Sequence, residues 1–316
     1  MSMKIIKAAI FTAALFLSCA VAGADSQKLA DGFDGSDFTP EGGLYYRENS
    51  EQSAGLVEFQ SKEVRSGSGA LKLSVKSQCA ASDDLCSERA EIWERTKLRV
   101  PYNEGVWYGF AVKFAEPVPG DDHRYVIAQW KREIEPGAEG DFSPFLALRL
   151  RGGKLFATVE TNYRAPVDGS GPAECGAKNT PVWLRPETNQ MRALVAADAT
   201  WTPQDGELYA SCSDALTIID HGNSLPRPDS GWIDFVVFTK PGPDGTGHIE
   251  LFANGKPVVT VKGLIGHADK GLGKNQYFKF GPYRAGHASD WTLYYDKFRR
   301  SPRCEDVLKD GVCPAA

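Results

Sequence analysis

Short segments in which apolar and polar residues alternate recur along the chain, separated by turns rich in Gly, Asn and Asp. No long segment carries the 3.6-residue period of a helix. Alternation of period two puts successive side chains on opposite faces of a strand. The expected strands are 70–77 (ALKLSVKS), 105–114 (GVWYGFAVKF), 124–131 (RYVIAQWK), 145–160, 232–240, 248–263 and 290–300. Asn254-Gly255 and Gly152-Gly153 lie between apolar runs, where such pairs signal hairpin turns. Several runs are apolar on both faces, as in strands covered on both sides. Only 187–198 (ETNQMRALVAAD) hints at a helix. These features predict an all-β fold of two packed antiparallel sheets, a jelly-roll sandwich. Segment 161–230 breaks the rhythm, being rich in Pro, Gly, Asn and Asp. It reads as one long inserted loop over one end of the sandwich, with a short helix. With no internal repeat and no linker, residues 25–316 read as a single domain.

The chain begins with two lysines and an apolar run from about Ala8 to Ala22, followed by Ala22-Gly23-Ala24. This is the pattern of a secretory signal peptide, residues 1–24, and is too short to span a membrane well. Cys19 offers a lipoprotein variant, for which Phe16 three residues earlier is a poor fit. No other run reaches transmembrane length, so a periplasmic or extracellular protein is expected. Six further cysteines remain: Cys79, Cys86, Cys175, Cys212, Cys304 and Cys313. An even count in an exported chain suggests disulfides, with 15 pairings open. Pairing 79–86, 175–212 and 304–313 closes the shortest loops and is the expectation. Zinc spacings are absent. Formal charge is −5, and loss of Lys4 and Lys7 with the leader makes it −5 − 2 = −7. An acidic chain argues against nucleic acid as partner, and a monomer is expected.

Three segments gather polar chemistry on one strand face. In RAEIWER (89–95), Arg89, Glu91, Trp93 and Arg95 share a face opposite Ala90, Ile92 and Glu94. In AQWK, Gln129 and Lys131 share a face. In YFKFGPYR (277–284), Tyr277, Lys279 and Tyr283 point one way, Phe278 and Phe280 the other, and Arg284 adjoins them. Pro282 lacks a donor for a ladder, so this strand is at an edge or bulged there. From 274 to 300 six basic residues face two acids, a local excess that suggests an anion-binding surface. Each segment alone also fits a solvated face with cross-strand ion pairs. Together, tryptophan and tyrosine offer planes for sugar rings, and arginine offers a bidentate grip on a carboxylate.

In this order, RAEIWER, AQWK, YFKFGPYR and WTLYYDKF resemble the jelly-roll polysaccharide lyases related to heparin lyase I and the glucuronan lyases. More distantly they resemble the alginate lyases, whose strands read R-T-E-L-R-E, Q-I-H and Y-F-K-A-G-x-Y. The likeness runs from about 31 to 300 and thins across 161–230. It implies β-elimination on a polysaccharide containing uronic acid. It makes Tyr283 the catalytic tyrosine and matches Arg89, Glu91, Gln129, Tyr277 and Lys279 to family positions. Trp93 stands where the second arginine is expected, so that role is vacant or passes to Arg95. Lys131 stands where a histidine is expected.

In β-elimination a base takes the proton alpha to the carboxylate, and the C4–O bond breaks. The carboxylate's charge must be paired so that the enolate-like intermediate can form. Gln129, Lys131, Arg89 and Arg95 suit that task. A phenol with an ordinary pKa near 10 needs nearby cations to act as base, a part given to Lys279 and Arg284 around Tyr283. Trp93, Tyr277, Arg284 and Glu91 are expected to contact substrate. His123, His221 and His287 are loop candidates for a base, with His221 dropping into the cleft from above and His287 at its rim. His248 and His267 look structural. No cofactor is expected; a structural calcium near Asp121-Asp122 lacks EF-hand spacing. The rival readings are a non-catalytic lectin-like binder and a glycoside hydrolase. The latter needs two carboxylates across the scissile bond, and Glu91 and Glu94 point to opposite faces.

Overall fold

A computed structural model describes residues 27–79, 86–139, 142, 144–167, 175 and 179–314. The signal peptide and Cys19 lie outside the described residues. The strands, in chain order, are β1 (Leu29–Asp31), β2 (Leu44–Tyr46), β3 (Gly55–Gln60), β4 (Ala70–Val75), β5 (Ser87–Arg89), β6 (Ile92–Glu94), β7 (Val100–Pro101), β8 (Val106–Phe114), β9 (Tyr125–Ile134) and β10 (Leu146–Arg151). They continue with β11 (Lys154–Asn162), β12 (Thr180–Arg185), β13 (Gln190–Ala197), β14 (Ser211–Ser213), β15 (Leu216–Asp220), β16 (Ile233–Lys240), β17 (Gly242–Ala253), β18 (Lys256–Ile265), β19 (Leu272–Ala285) and β20 (Trp291–Ser301).

Two antiparallel sheets result. The first runs β15-β18-β17-β16-β8-β20-β4-β3, with β1 on β20. The second runs β14-β12-β13-β11-β10-β9-β19-β6-β2, with β5 and β7 also paired to β19. The hairpin signals hold: Asn254 and Gly255 have φ 50° and 76°, and Gly152 and Gly153 have φ 56° and 72°. Positive φ at both central residues is what a type I′ turn requires.

The layer between the sheets is filled from strands of period two. Phe278 and Phe280 of β19, Trp130 of β9, Phe110 of β8, and Tyr295 and Phe298 of β20 are all buried there. Trp130 and Phe278 stack with ring centroids 4.6 Å apart. The interior also holds ion pairs, among them Arg300 to Glu94 at 2.7 Å, both fully buried. The Phe278 backbone N–H donates to the other Glu94 oxygen at 2.7 Å. A buried carboxylate needs such partners to stay charged.

Segment 161–230 is not one loop. β12, β13 and β14 extend the second sheet, and β15 forms an edge of the first. Val182, Met191, Ala193 and Val195 face the core, a pattern blurred in the sequence by apolar Leu194, Ala196 and Ala197 beside them. The helix expected over 187–198 is a single 3-10 turn, Pro186–Thr188, followed by β13. Residues 168–174 and 176–178 lie outside the described residues. The disulfides are Cys79–Cys86, Cys175–Cys212 and Cys304–Cys313, the neighbour pairing. No helix among the described residues is long and apolar enough to cross a membrane.

Candidate active site

β19 lies within the second sheet, between β9 and the short strands β5, β6 and β7. With Phe278 and Phe280 committed to the core, Tyr277, Lys279 and Tyr283 take the outer face. Pairing with β9 slips by one residue between Phe280 and Tyr283, so that Phe280 opposes Ala128 but Tyr283 opposes Val126. Gly281 permits this bulge with φ 129°; a Cβ there would lie 2.1 Å from the Ala90 carbonyl oxygen. β9 is irregular against β10 at the same level. Ile127 and Ala128 therefore both face the core, while Val126 and Gln129 both line the outer cleft.

The consequence is two transverse rows of cross-strand neighbours. One reads Phe156, Arg149, Val126, Tyr283, Arg89. The other reads Thr158, Ala147, Gln129, Lys279, Trp93. Above them opens a cleft of about 490 Å³ lined by Arg89, Gln129, Lys131, Lys279 and Tyr283. The sequence reading missed Arg124, Arg149, Arg151, Arg185, Arg192 and Trp183, which line the same cleft.

Glu91 anchors one end from beneath. It is fully buried, takes Lys279 Nζ at 2.8 Å and Arg89 Nη1 at 3.1 Å on one oxygen, and accepts from Gln129 Nε2 on the other. Against the opposing effect of burial, Lys279 and Arg89 hold its carboxyl below the ordinary range. Burial pushes the Lys279 ammonium down to about 7, while Glu91 pulls the other way. Arg89 also pairs with Glu51 at 2.9 Å, and its guanidinium carbon lies 3.9 Å from the Tyr283 ring centroid. Arg124 sits 4.9 Å from the same ring. At the other end one carboxylate, Glu160, serves both Arg149 and Arg192. Burial and Arg192 push Arg149 down to about 10. Two guanidiniums on one carboxylate leave a positive surplus facing the cleft.

Four placements differ from expectation. Arg95 is exposed, because β6 ends at Glu94 and the chain turns into a 3-10 turn, Thr96–Leu98. Arg284 is 1% exposed and bonded through Nε to Glu88 at 2.7 Å, so it does not face Tyr283; Arg89 and Arg124 take that place. His221 lies after β15 on the first sheet, its Nε2 2.8 Å from Thr260 Oγ1, away from the cleft. Glu91 is a buried anchor rather than a contact surface. Trp93 and Tyr277 stack at 5.6 Å, under Lys279 and Arg99 respectively, and brace the floor; Tyr277 is 5% exposed.

His287 does lie near the rim. Its Nε2 is 3.2 Å from Asp121 Oδ2, and His123 Nδ1 is 3.0 Å from Asp121 Oδ1. The ligand atoms of these three groups lie within 4.8 Å of one another. His287 Nδ1 accepts the Ser289 N–H at 3.0 Å, which puts the proton of the neutral ring on Nε2, facing Asp121. In this structure the three groups form a hydrogen-bonded network. Despite burial, the His123 N–H, the Tyr125 hydroxyl and the two imidazoles hold the Asp121 carboxyl below its ordinary value.

A cation-rich cleft with aromatic walls crosses one face of the jelly-roll sandwich. The chain belongs to the polysaccharide lyase family, whose model matches residues 39–299. It is a polysaccharide lyase. Among solved structures, an endo-β-1,4-glucuronan lyase from the fungus Trichoderma reesei superposes with TM-score 0.57 at 17% identity, covering 90% of this chain and 98% of that one. The cellulose-induced protein Cip1 gives TM-score 0.46 at 15% identity, covering 91% and 100%. No curated protein sequence matches the chain.

Proposed function

We propose that this lyase is exported and cleaves a uronic-acid-containing polysaccharide by β-elimination. The observation that carries the reading is Tyr283, which lines the cleft with the guanidiniums of Arg89 and Arg124 3.9 and 4.9 Å from its ring centroid. A uronate carboxylate is paired by Lys131, Gln129 and Arg124. Pairing its charge stabilises the dianion that forms when C5 loses its proton. Tyr283 transfers that proton and returns one to the C4 oxygen as the C4–O bond breaks, leaving a C4=C5 double bond on the new non-reducing sugar. Arg89, tied to Glu91 and Glu51, fixes the ring of Tyr283. The glucuronan lyase likeness makes glucuronan the first polymer to try, and the three disulfides suit an oxidising compartment.

The test is a panel of polyuronates followed by ultraviolet absorbance of the unsaturated product. Rising absorbance supports the reading. New reducing ends without absorbance select hydrolysis, and binding with neither selects a non-catalytic binder. Lys131, standing where the resembled alginate-lyase motif carries histidine, is the feature that favours the binder. Tyr283→Phe removes one hydroxyl and should lower turnover by about 10²–10⁴-fold with polymer affinity nearly kept. Undiminished turnover takes the phenol out of the mechanism.

A further inference from the structure

The cleft does not end at the proposed reaction centre. Trp183 on β12 opposes Arg192 on β13, and both line the same cleft as Tyr283. The guanidinium carbons of Arg185 and Arg192 lie 5.1 and 5.2 Å from the Trp183 ring centroid. Both distances are within cation–π range. The indole is partly exposed. Arg192 shares Glu160 with Arg149, so its charge is not matched one for one. Trp201 packs against Phe156 with centroids 4.9 Å apart and lines the cleft as well. From β12 to β19 there are five strand spacings, β12-β13-β11-β10-β9-β19. At ~4.8 Å each they span roughly 24 Å. A ligand that touches both ends is an oligomer, because one monosaccharide cannot reach.

We propose that Trp183, Arg185 and Arg192 form a distal subsite that holds an anionic sugar unit of the same chain, several units from the bond that is cut. This rests on the lyase reading above. The exposed part of the indole takes the apolar face of a pyranose ring, and the guanidiniums that lie over the indole ring take its carboxylate or sulfate through N–H donors. The strands 161–230 adds to the second sheet would thus set chain-length preference, apart from the chemistry at Tyr283.

The experiment measures kcat/KM over a length series of acidic oligosaccharides for the wild-type protein, Trp183→Ala and Trp183→Phe. The wild-type value should climb with length until the oligomer spans the cleft. Trp183→Ala should remove about tenfold of that climb, with a smaller loss on the shortest substrate. Trp183→Phe keeps a ring and should recover most of it, which separates a lost platform from a misfolded strand. Equal loss at every length, or an unchanged climb, overturns the proposal. Arg185→Gln adds an arm: its loss should be greater on acidic oligomers than on their carboxyl-reduced counterparts, and equal loss removes the anionic part of the claim. Comparing carboxylated with sulfated oligomers tells which anion is preferred. If the wild-type protein eliminates no uronate polymer, that reading fails by itself. Calorimetric titration of the same oligomers into wild-type and Trp183→Ala protein then decides the subsite, which requires an affinity loss that grows with length.

Discussion

Lys279 is the residue at which charge balance in the cleft floor changes with pH. Its ammonium is 2% exposed, 2.8 Å from Glu91 and 4.4 Å from the Trp93 ring centroid. A lysine in water keeps its proton to about 10.4, but burial lowers this one to about 7. Its positive charge is therefore present below about 7 and lost as pH rises through that value. Affinity for a polyanion should weaken over the same interval, measured on the Tyr283→Phe variant so that no turnover intervenes. Adding Lys279→Gln should flatten that part of the profile; an unaltered slope assigns it to another group. The residues of this floor were readable beforehand because alternation holds over the short stretches 277–280 of β19 and 128–131 of β9, leaving Lys279, Gln129 and Lys131 opposite an apolar face, with Tyr283 beyond the bulge. Arg284 was misplaced because a polar letter in a strand does not reveal a buried partner. Glu88 lies almost two hundred positions away and takes it inward.

At the scale of elements, the bulge in β19 aligns Tyr283 with Arg89 on one side and Val126 on the other. Gly281 is the only residue type that fits it, since a Cβ would also come within 2.9 Å of Glu91 Cα. Gly281→Ala should thus push β5 and β6 from β19, costing more than ~1 kcal/mol, the scale of a strained positive-φ site. Turnover should fall further than stability does, because Arg89 and Glu91 move with that segment. Urea unfolding beside a rate assay checks both, and a stable variant with full activity would show that the alignment is unimportant. Pro282 announced an irregularity in the sequence. The strands β12 and β13 were not announced, since Pro, Asn and Asp at their ends outweigh a short inward alternation. The arginines they carry could not be placed at the cleft without knowing that β12 and β13 join the sheet of β19.

Over the whole molecule the sign of the charge and its location disagree. The formal charge is −5, yet eight cationic side chains and two carboxylates line the cleft. Of the basic residues at 274–300, Lys279 alone is among the cations that line this cleft. Arg284 and Arg300 are spent inside on Glu88 and Glu94, and Lys297 and Arg299 line a different cavity, on the first sheet. Besides Lys279 on β19, the cleft draws on β5, β9, β10, β12 and β13, which are far apart in sequence and adjacent only once the second sheet forms. At ~0.1 M salt the screening length is ~10 Å. A bound chain then feels the cleft cations, while acids on the far face are screened. Raising salt from ~0.1 to ~0.5 M shortens that length to a few ångströms and weakens the cleft attraction itself. Affinity for an acidic polymer should therefore fall with salt although the protein is acidic. Lys131→Ala removes one cation from the cleft, so its plot of log affinity against log salt should be shallower than that of the wild type. Parallel plots would put Lys131 outside the path of the chain, and a wild-type affinity indifferent to salt would mean that the cleft does not recognise charge at all.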